Sequence, residues 1–294
     1  MKRIERARNW TRQHLRLFRC PVCSAPCADV SGNSLICENG HATDFNRHGY
    51  LYFLRKPAND EYDTALFEAR RKLIQAGMFL PIMKEIARQL PSSPQTILDV
   101  GTGEGSPLCQ LLSQRADSGD TAIGFDISRA GIALAAQLPL DALFCVANLR
   151  ELPFANASFT VVTELFSPSD YREFDRVLAP HGLLIKVIPG PQHLRELRAL
   201  LFPEDDDRRF YDNSSVRNLF EAHYPKAKEM PLCYEFSVPV DLRCDLMRMS
   251  PLQWGASARV PTNEELNKLS SVTIDALVLM GVASPEAPSS NSAS

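Results

Sequence analysis

The sequence predicts an α/β protein, with a mostly parallel sheet covered by helices on both faces and a small metal-stapled unit in front of it. Three observations carry that expectation. From residue 96 onward, apolar β-branched runs alternate with helical stretches, as in parallel strands joined by crossovers. The first run, Thr96-Ile-Leu-Asp-Val100, breaks into Gly-x-Gly-x-Gly at 101–105. Glycines in such a turn let the backbone approach a bound nucleotide closely. Upstream, Cys20-Pro-Val-Cys23 and Cys37-Glu-Asn-Gly-His41 give C-x2-C-x13-C-x3-H, a spacing at which four donors can converge tetrahedrally on Zn²⁺.

Taken in order, residues 1–19 hold seven Lys and Arg and one acid, Glu5, with Trp10, Leu15, Leu17 and Phe18 interspersed. The segment reads either as a basic arm that orders on RNA or as a frayed terminus. Residues 20–54 form short β-like stretches between turn residues, too small a unit to fold on apolar burial alone, so metal binding would supply much of its folding free energy. Four protein ligands leave no open coordination position, so this zinc would be structural. Cys27 is a rival ligand, and a redox Cys-x-x-Cys is a second option that the Cys37/His41 pair argues against. Leu66, Phe67, Leu73, Ile74, Ile82, Ile86 and Leu90 recur near helical spacing over 60–90, and Pro91 to Pro94 form a linker.

Strands are then expected at 96–100, 121–126, 142–147, 159–165 and 183–188. Helices are expected at 107–116, 129–138 and 170–179, with Gly182 marking the turn into the fifth strand. Residues 192–202 look helical and 203–215 loop-like. The late runs Cys233 to Val240 and Val272 to Met280 would complete the sheet as an antiparallel pair. The tail from Ala283, rich in Ser, Pro, Ala and Asn, has the composition of a disordered segment.

The 294 residues, 45% hydrophobic and 23% charged, have an ordinary soluble composition. No run of about 18 apolar residues suggests a membrane span, and the charged start lacks the apolar core of a secretory signal. Eight cysteines without such a signal fit reduced thiols or a metal site, with the cytoplasm as expected compartment. The net charge of −3 is uneven. Residues 1–90 hold 15 Lys and Arg against 9 Asp and Glu, and the remainder 17 against 26. A basic front end suggests contact with a polyanion.

The glycine turn lacks the sixth-position glycine of a dinucleotide fingerprint, where Ser106 stands, followed by Pro107. The shorter Asp-x-Gly-x-Gly-x-Gly form resembles the first motif of S-adenosylmethionine-dependent methyltransferases; a turn without a ligand is the alternative. If S-adenosylmethionine binds, Gly101 and Gly103 approach it by backbone. Asp126, ending the second strand, would accept the ribose hydroxyls or else cap the helix from Ser128. Asn148 and Leu149 would flank the adenine, and Asp99 and Glu104 would lie near the methionine ammonium. After the fourth strand, Thr163-Glu-Leu-Phe-Ser-Pro-Ser-Asp170 should shape the acceptor site. It lacks an Asn-Pro-Pro-Tyr clamp for an exocyclic amine and a Pro-Cys nucleophile for carbon, which leaves a ring nitrogen, a hydroxyl or a small molecule. Glu164 and Asp170 are candidates to accept a proton or base N–H, or are solvated loop acids.

The ordered set of pieces resembles the bacterial 23S rRNA (guanine-N1)-methyltransferases, a family that includes macrolide-resistance methylases. The pieces are Cys20-Pro-Val-Cys23, Cys37-x3-His41 with Asp44-Phe45 and Gly49-Tyr50, and Ala69-Arg70-Arg71-x5-Gly77. Further along are Leu98 to Gly105, Gly124-Phe-Asp-Ile-Ser128, Leu152-Pro-Phe154, Pro189-Gly-Pro-Gln-His-Leu194, and Met249-Ser-Pro251 with Trp254. The resemblance spans about 18–280. It implies a Rossmann-like class I methyltransferase sheet with its last strand antiparallel, over 96–282. Before it would stand a zinc ribbon at 20–54, binding an rRNA hairpin, and a helical connector at 55–95; a disordered tail would follow at 283–294. It implies Zn²⁺ on Cys20, Cys23, Cys37 and His41, allows a homodimer, and puts Phe79, Gly103, Glu104 and His193 against the cofactor. Family members commonly carry an aromatic residue where Ser106-Pro107 stands, and the arm before Cys20 is longer than usual.

The expected function is methyl transfer from S-adenosylmethionine to guanine N1 in a 23S rRNA hairpin. The ribbon, the basic arm and Arg70-Arg71 would grip RNA, although Arg70-Arg71 could equally be an exposed helix face. Two alternatives stand beside it. One is a small-molecule methyltransferase, which should survive deletion of residues 1–50; the other is a non-catalytic RNA-binding protein that keeps the fold.

Overall fold

A computed structural model describes residues 1–56, 63–202, 206, 210–250, 252 and 258–284. It begins with helix α1 (Arg3–Gln13), followed by the short strands β1 (Cys27–Ser31), β2 (Ser34–Cys37) and β3 (Ala42–Asp44), which form an antiparallel sheet of their own. Strand β4 (Leu51–Tyr52) leaves that unit and pairs in parallel with β7 (Leu143–Val146) at the edge of the main sheet. Helices α2 (Thr64–Gln75) and α3 (Leu80–Gln89) come next. Asp63 caps the first of them by accepting from the Leu66 N–H, and the two are parted at Gly77.

The remaining elements are β5 (Thr96–Val100), α4 (Ser106–Ser113), β6 (Thr121–Asp126), α5 (Arg129–Ala135), β8 (Phe159–Leu165), α6 (Tyr171–Val177), β9 (Leu178–Pro189), α7 (Arg195–Leu201), α8 (Ser214–His223), β10 (Lys228–Ser237), α9 (Arg243–Arg248), α10 (Asn263–Lys268) and β11 (Ser271–Val282). The sheet order is β10-β11-β9-β8-β5-β6-β7-β4, and β11 alone runs against the others. The late apolar runs therefore pair as expected from sequence. Helix α6 stops at Val177, two residues before the expected end, and β9 begins at once, because Pro180 cannot continue the helix. Gly182 thus lies within a strand rather than before one.

Alternate residues of each strand serve opposite faces, as the pleat requires. Ile97, Phe144, Val146, Val161, Ile185 and Val187 pack under α2, α3, α4 and α7. Leu98, Leu143, Cys145, Val162 and Leu184 pack on the other side with Phe174 of α6 and Phe220 of α8. That second face also takes in Trp10, Leu17 and Phe18 of the N-terminal segment and Cys20, Cys27 and Cys37 of the ribbon.

One sequence expectation changes here. Residues 1–19 are neither a loose arm nor a frayed end: Trp10 is 4% exposed, and Leu17 and Phe18 are each 1% exposed. Backbone bonds fasten this stretch to the main domain, Arg19 N–H to Pro153 carbonyl at 3.1 Å and Ala155 N–H to Leu17 carbonyl at 2.9 Å. Gly49 makes the close fit possible, since a β-carbon there would lie 2.7 Å from the Arg3 carbonyl oxygen. The described helices within 55–95 enter the core through Leu73, Ile74, Ile82, Met83 and Ile86. The tail expected at 283–294 starts with Ala283 buried, its N–H donating to the Gly182 carbonyl at 2.8 Å; residues 285–294, and Pro251 and Trp254, lie outside the described residues.

Candidate active site and metal centre

Two tight turns build the metal centre. The first is closed by Ser24 N–H to Cys20 carbonyl at 2.9 Å, the second by Gly40 N–H to Cys37 carbonyl at 2.9 Å. They bring one donor atom each from Cys20, Cys23, Cys37 and His41 within 4.8 Å of one another. Cys23 Sγ lies 3.9 Å from Cys37 Sγ, and His41 Nδ1 lies 3.6 Å from Cys37 Sγ. A tetrahedral zinc with bonds of about 2.1–2.3 Å needs donors separated by about 3.4–3.8 Å, so the donor set fits that ion. The Ala25 backbone N–H and the Asn39 amide pull the Cys23 thiol down to about 6, toward the ligating thiolate. Cys27, the rival ligand, stays out of the cluster, and burial pushes its thiol up to about 12.

The cofactor loop follows β5. Gly101, Gly103 and Gly105 all take positive φ (64°, 56° and 84°), where a side chain would be strained. Gly101 is also a point of contact, since a β-carbon would fall 2.2 Å from Ser167 Oγ of the loop after β8. Asp126 holds the turn from below: its Oδ2 accepts from Gly103 N–H at 2.9 Å and its Oδ1 from Ser128 N–H at 2.8 Å. The cap of α5 is the Ser128 hydroxyl, which accepts from Gly131 N–H. Each Asp126 oxygen keeps a lone pair for another donor. Beside it Ile127, missed in the sequence, is 49% exposed at the end of β6, an apolar group turned to solvent next to the turn. Across the strand ends Asn148 accepts from Arg150 N–H at 3.1 Å, and Leu149 stands partly exposed.

Glu104 is 1% exposed, and its carboxylate is already engaged. Arg71 Nε donates to its Oε2 at 2.8 Å and Arg71 Nη2 to its carbonyl at 2.9 Å, while Ser106 donates both its N–H and its hydroxyl. Ser106 therefore helps hold the turn. Arg71 is engaged inside the protein, its side chain 18% exposed. Its neighbour Arg70 lies over the Phe67 ring and donates to the Met249 carbonyl.

Asp99 is buried, and its Oδ1 accepts from the Thr163 hydroxyl at 2.8 Å. Burial pushes its carboxyl up to about 6, against hydrogen bonds from Thr102 and Thr163. A carboxyl whose folded value is raised costs stability as pH rises from about 4 through 6, and the deficit persists above that. Asp99→Asn keeps the acceptor for Thr163 but removes the charge. It is expected to be about 2–3 kcal/mol more stable than wild type at pH 8 and equal to it near pH 4. Urea unfolding of the cofactor-free protein at both values tests this; a larger advantage at pH 4 would contradict it.

On the acceptor side the structure gathers three rings. Phe79, buried at the start of α3, meets Phe166 with centroids 5.5 Å apart, and Phe166 meets His193 at 5.1 Å. His193 Nδ1 is 2.9 Å from the Asp275 carbonyl oxygen, which can only accept, so that nitrogen carries the proton and Nε2 is an acceptor. Burial brings its imidazole down to about 4, so it is neutral at physiological pH.

Both candidate bases have structural partners. Glu164 lies in a buried ion pair with Lys186 at 2.9 Å and accepts from Ser169. Burial pushes the Glu164 carboxyl up, and the Lys186 ammonium pulls it back. Asp170 is the cap of α6, accepting from Glu173 N–H at 3.1 Å.

A glycine turn at the end of the first central strand, an acid after the second and a parallel sheet closed by one antiparallel strand define a class I S-adenosylmethionine-dependent methyltransferase. The methyltransferase-domain family model matches residues 97–182. Over 276 residues the chain is 39% identical to a Bacillus subtilis protein provisionally named a 23S rRNA (guanine-N1)-methyltransferase, covering 90% of this chain and 97% of that one. It is 32% identical over 190 residues to the 23S rRNA (guanine(748)-N1)-methyltransferase of Streptomyces fradiae, covering 62% and 67%. A Micromonospora griseorubida protein, also provisionally named a 23S rRNA (guanine-N1)-methyltransferase, is 33% identical over 204 residues, covering 61% and 68%. The chain belongs to the 23S rRNA (guanine-N1)-methyltransferase family.

Proposed function

We propose that this protein transfers the methyl group of S-adenosylmethionine to N1 of a guanine in 23S rRNA. The observation that carries the reading is the likeness to the Bacillus subtilis relative across nearly the full length of both chains. S-adenosylmethionine supplies an electrophilic methyl on a sulfonium; the protein's task is to align the acceptor and exclude water. In this reading Asp126 takes the ribose hydroxyls with its spare lone pairs. Ile127, Asn148 and Leu149 take the adenine, and Gly101 and Gly103 approach by backbone. Asp99 and Glu104 contribute negative charge toward the methionine ammonium, Glu104 from within its bond to Arg71. Phe79 and His193 close the methionine end.

Neutral guanine holds a proton at N1 that must leave. Glu164 is held in its buried pair with Lys186, and this reading takes water as the acceptor.

The RNA contact belongs to the N-terminal face, where Lys2, Arg3, Arg16, Arg47 and Lys56 are exposed. Charge of this kind binds phosphates without reading sequence, and a hairpin offers the unpaired bases that proteins do read. The reading extends to a homodimer and to the cytoplasm, where ribosomal RNA is modified. Among the described residues no helix is long and apolar enough to cross a membrane. Deleting residues 1–50 no longer separates RNA from small-molecule substrates, because the deletion would strip Trp10, Leu17 and Phe18 from the core. The reversal Arg16→Glu with Arg47→Glu serves better.

The test is incubation of purified, zinc-loaded protein with labelled S-adenosylmethionine and an unmodified 23S rRNA transcript. Label should appear as N1-methylguanosine. Asp126→Ala should raise the S-adenosylmethionine Kd at least about tenfold, the loss of roughly one charge-assisted hydrogen bond. No label in RNA would refute the assignment, and an unaltered Kd would remove Asp126 from the ribose.

A further inference from the structure

The residue after β8 is held in a conformation that phenylalanine rarely adopts. Phe166 has φ 53°, in the left-handed region, where a side chain is strained relative to glycine. Its backbone N–H is tied to the Val187 carbonyl at 3.0 Å. The loop it opens is held from both sides. Ser167 sits against Gly101 of the cofactor turn. Underneath, the Lys186 ammonium donates to Glu164 Oε1 at 2.9 Å, to Ser169 Oγ at 2.8 Å and to the Ser167 carbonyl at 3.1 Å. All three of its N–H groups are thereby used, two of them on the loop itself. The result is a partly exposed aromatic ring, fixed beside the cofactor turn and flanked by Phe79 and His193.

A strained backbone held in place by this many contacts points to a use for the ring. Guanine is flat, and a base whose N1 is to be methylated must leave its pair and stack, which an aromatic face repays. We propose that Phe166 is the ring on which the target guanine stacks, placing N1 toward the cofactor turn. The proposal deepens the function given above and rests on it.

The test uses the full-length, zinc-loaded protein with Phe166→Ala, Phe166→Gly and Phe166→Tyr. Two quantities are measured for each: S-adenosylmethionine Kd by calorimetry, and kcat/KM for methylation of the 23S rRNA transcript. Alanine and glycine should lower kcat/KM about 10- to 100-fold, the range of one base–aromatic stack, with Kd within about twofold of wild type. Tyrosine should restore the rate to within about threefold. Glycine takes this backbone conformation without strain, so its loss of rate cannot be laid to a distorted loop. An equal change in Kd and rate would assign the ring to the cofactor and overturn the proposal, as would unchanged kcat/KM in the alanine and glycine variants. A wild-type protein that binds S-adenosylmethionine but labels no RNA would sink the underlying function, and this proposal with it.

Discussion

Cys23→Ser is expected to abolish stoichiometric zinc binding and to unfold the N-terminal unit. The three strands β1 to β3 run to five, four and three residues, too few to bury a core of their own. The ion would supply folding free energy directly, with apparent binding of about 10–16 kcal/mol for structural zinc at neutral pH. Serine removes one thiolate and with it the closed tetrahedral set. The damage should spread, because Cys20, Cys27 and Cys37 share a core with Phe18, Phe154 and the sheet. Metal content by mass spectrometry should fall from one zinc per chain to near none, and the melting temperature should fall with it. A full zinc complement in the variant would refute the ligand set.

Lys186→Met is expected to destabilise the protein by about 3–5 kcal/mol, because it leaves the Glu164 carboxylate buried without its partner. The side chains of Lys186 and Glu164 are 3% and 0% exposed, so neither charge can turn to water. Removing both together should hurt less. The double variant Lys186→Met with Glu164→Leu trades an ion pair for apolar contact and should recover most of the loss. A remainder of about 1–3 kcal/mol would reflect the Ser167 carbonyl and Ser169 hydroxyl left without a donor. Denaturant unfolding of the three proteins makes the comparison. A double variant no more stable than Lys186→Met would mean that the ion pair is not the source of the loss.

This pair shows why part of the site could not be read from the sequence. A lysine inside Leu-Leu-Ile-Lys-Val-Ile188 signals a buried cation in need of an acid. Which acid depends on the parallel register that sets Glu164 opposite Lys186, and register is a property of two strands rather than one. Without it, Glu164 looked available as a base. Phe166 gave no signal either, since a left-handed φ at phenylalanine is imposed by the contacts of a loop and not by its own preference.

What the sequence did disclose was local. The strands β5, β6 and β8 follow unbroken apolar runs and carry the boundaries read from them. The ligand cluster was legible because each metal turn places its two ligands within five residues, a geometry that neighbouring elements barely affect. Residues 1–19 mark the opposite limit. Ile4, Ala7, Trp10 and Thr11 fall on one face at helical spacing, a pattern obscured by seven basic residues. The burial of Ala7, Trp10 and Thr11 was a tertiary fact.

The most direct test of methylation at guanine N1 in 23S rRNA is mass-spectrometric mapping of that RNA from a strain lacking this gene. One N1-methylguanosine should disappear, returning when the wild-type chain is supplied and not with Asp126→Ala. Identical modification in the parent and deletion strains would contradict the account.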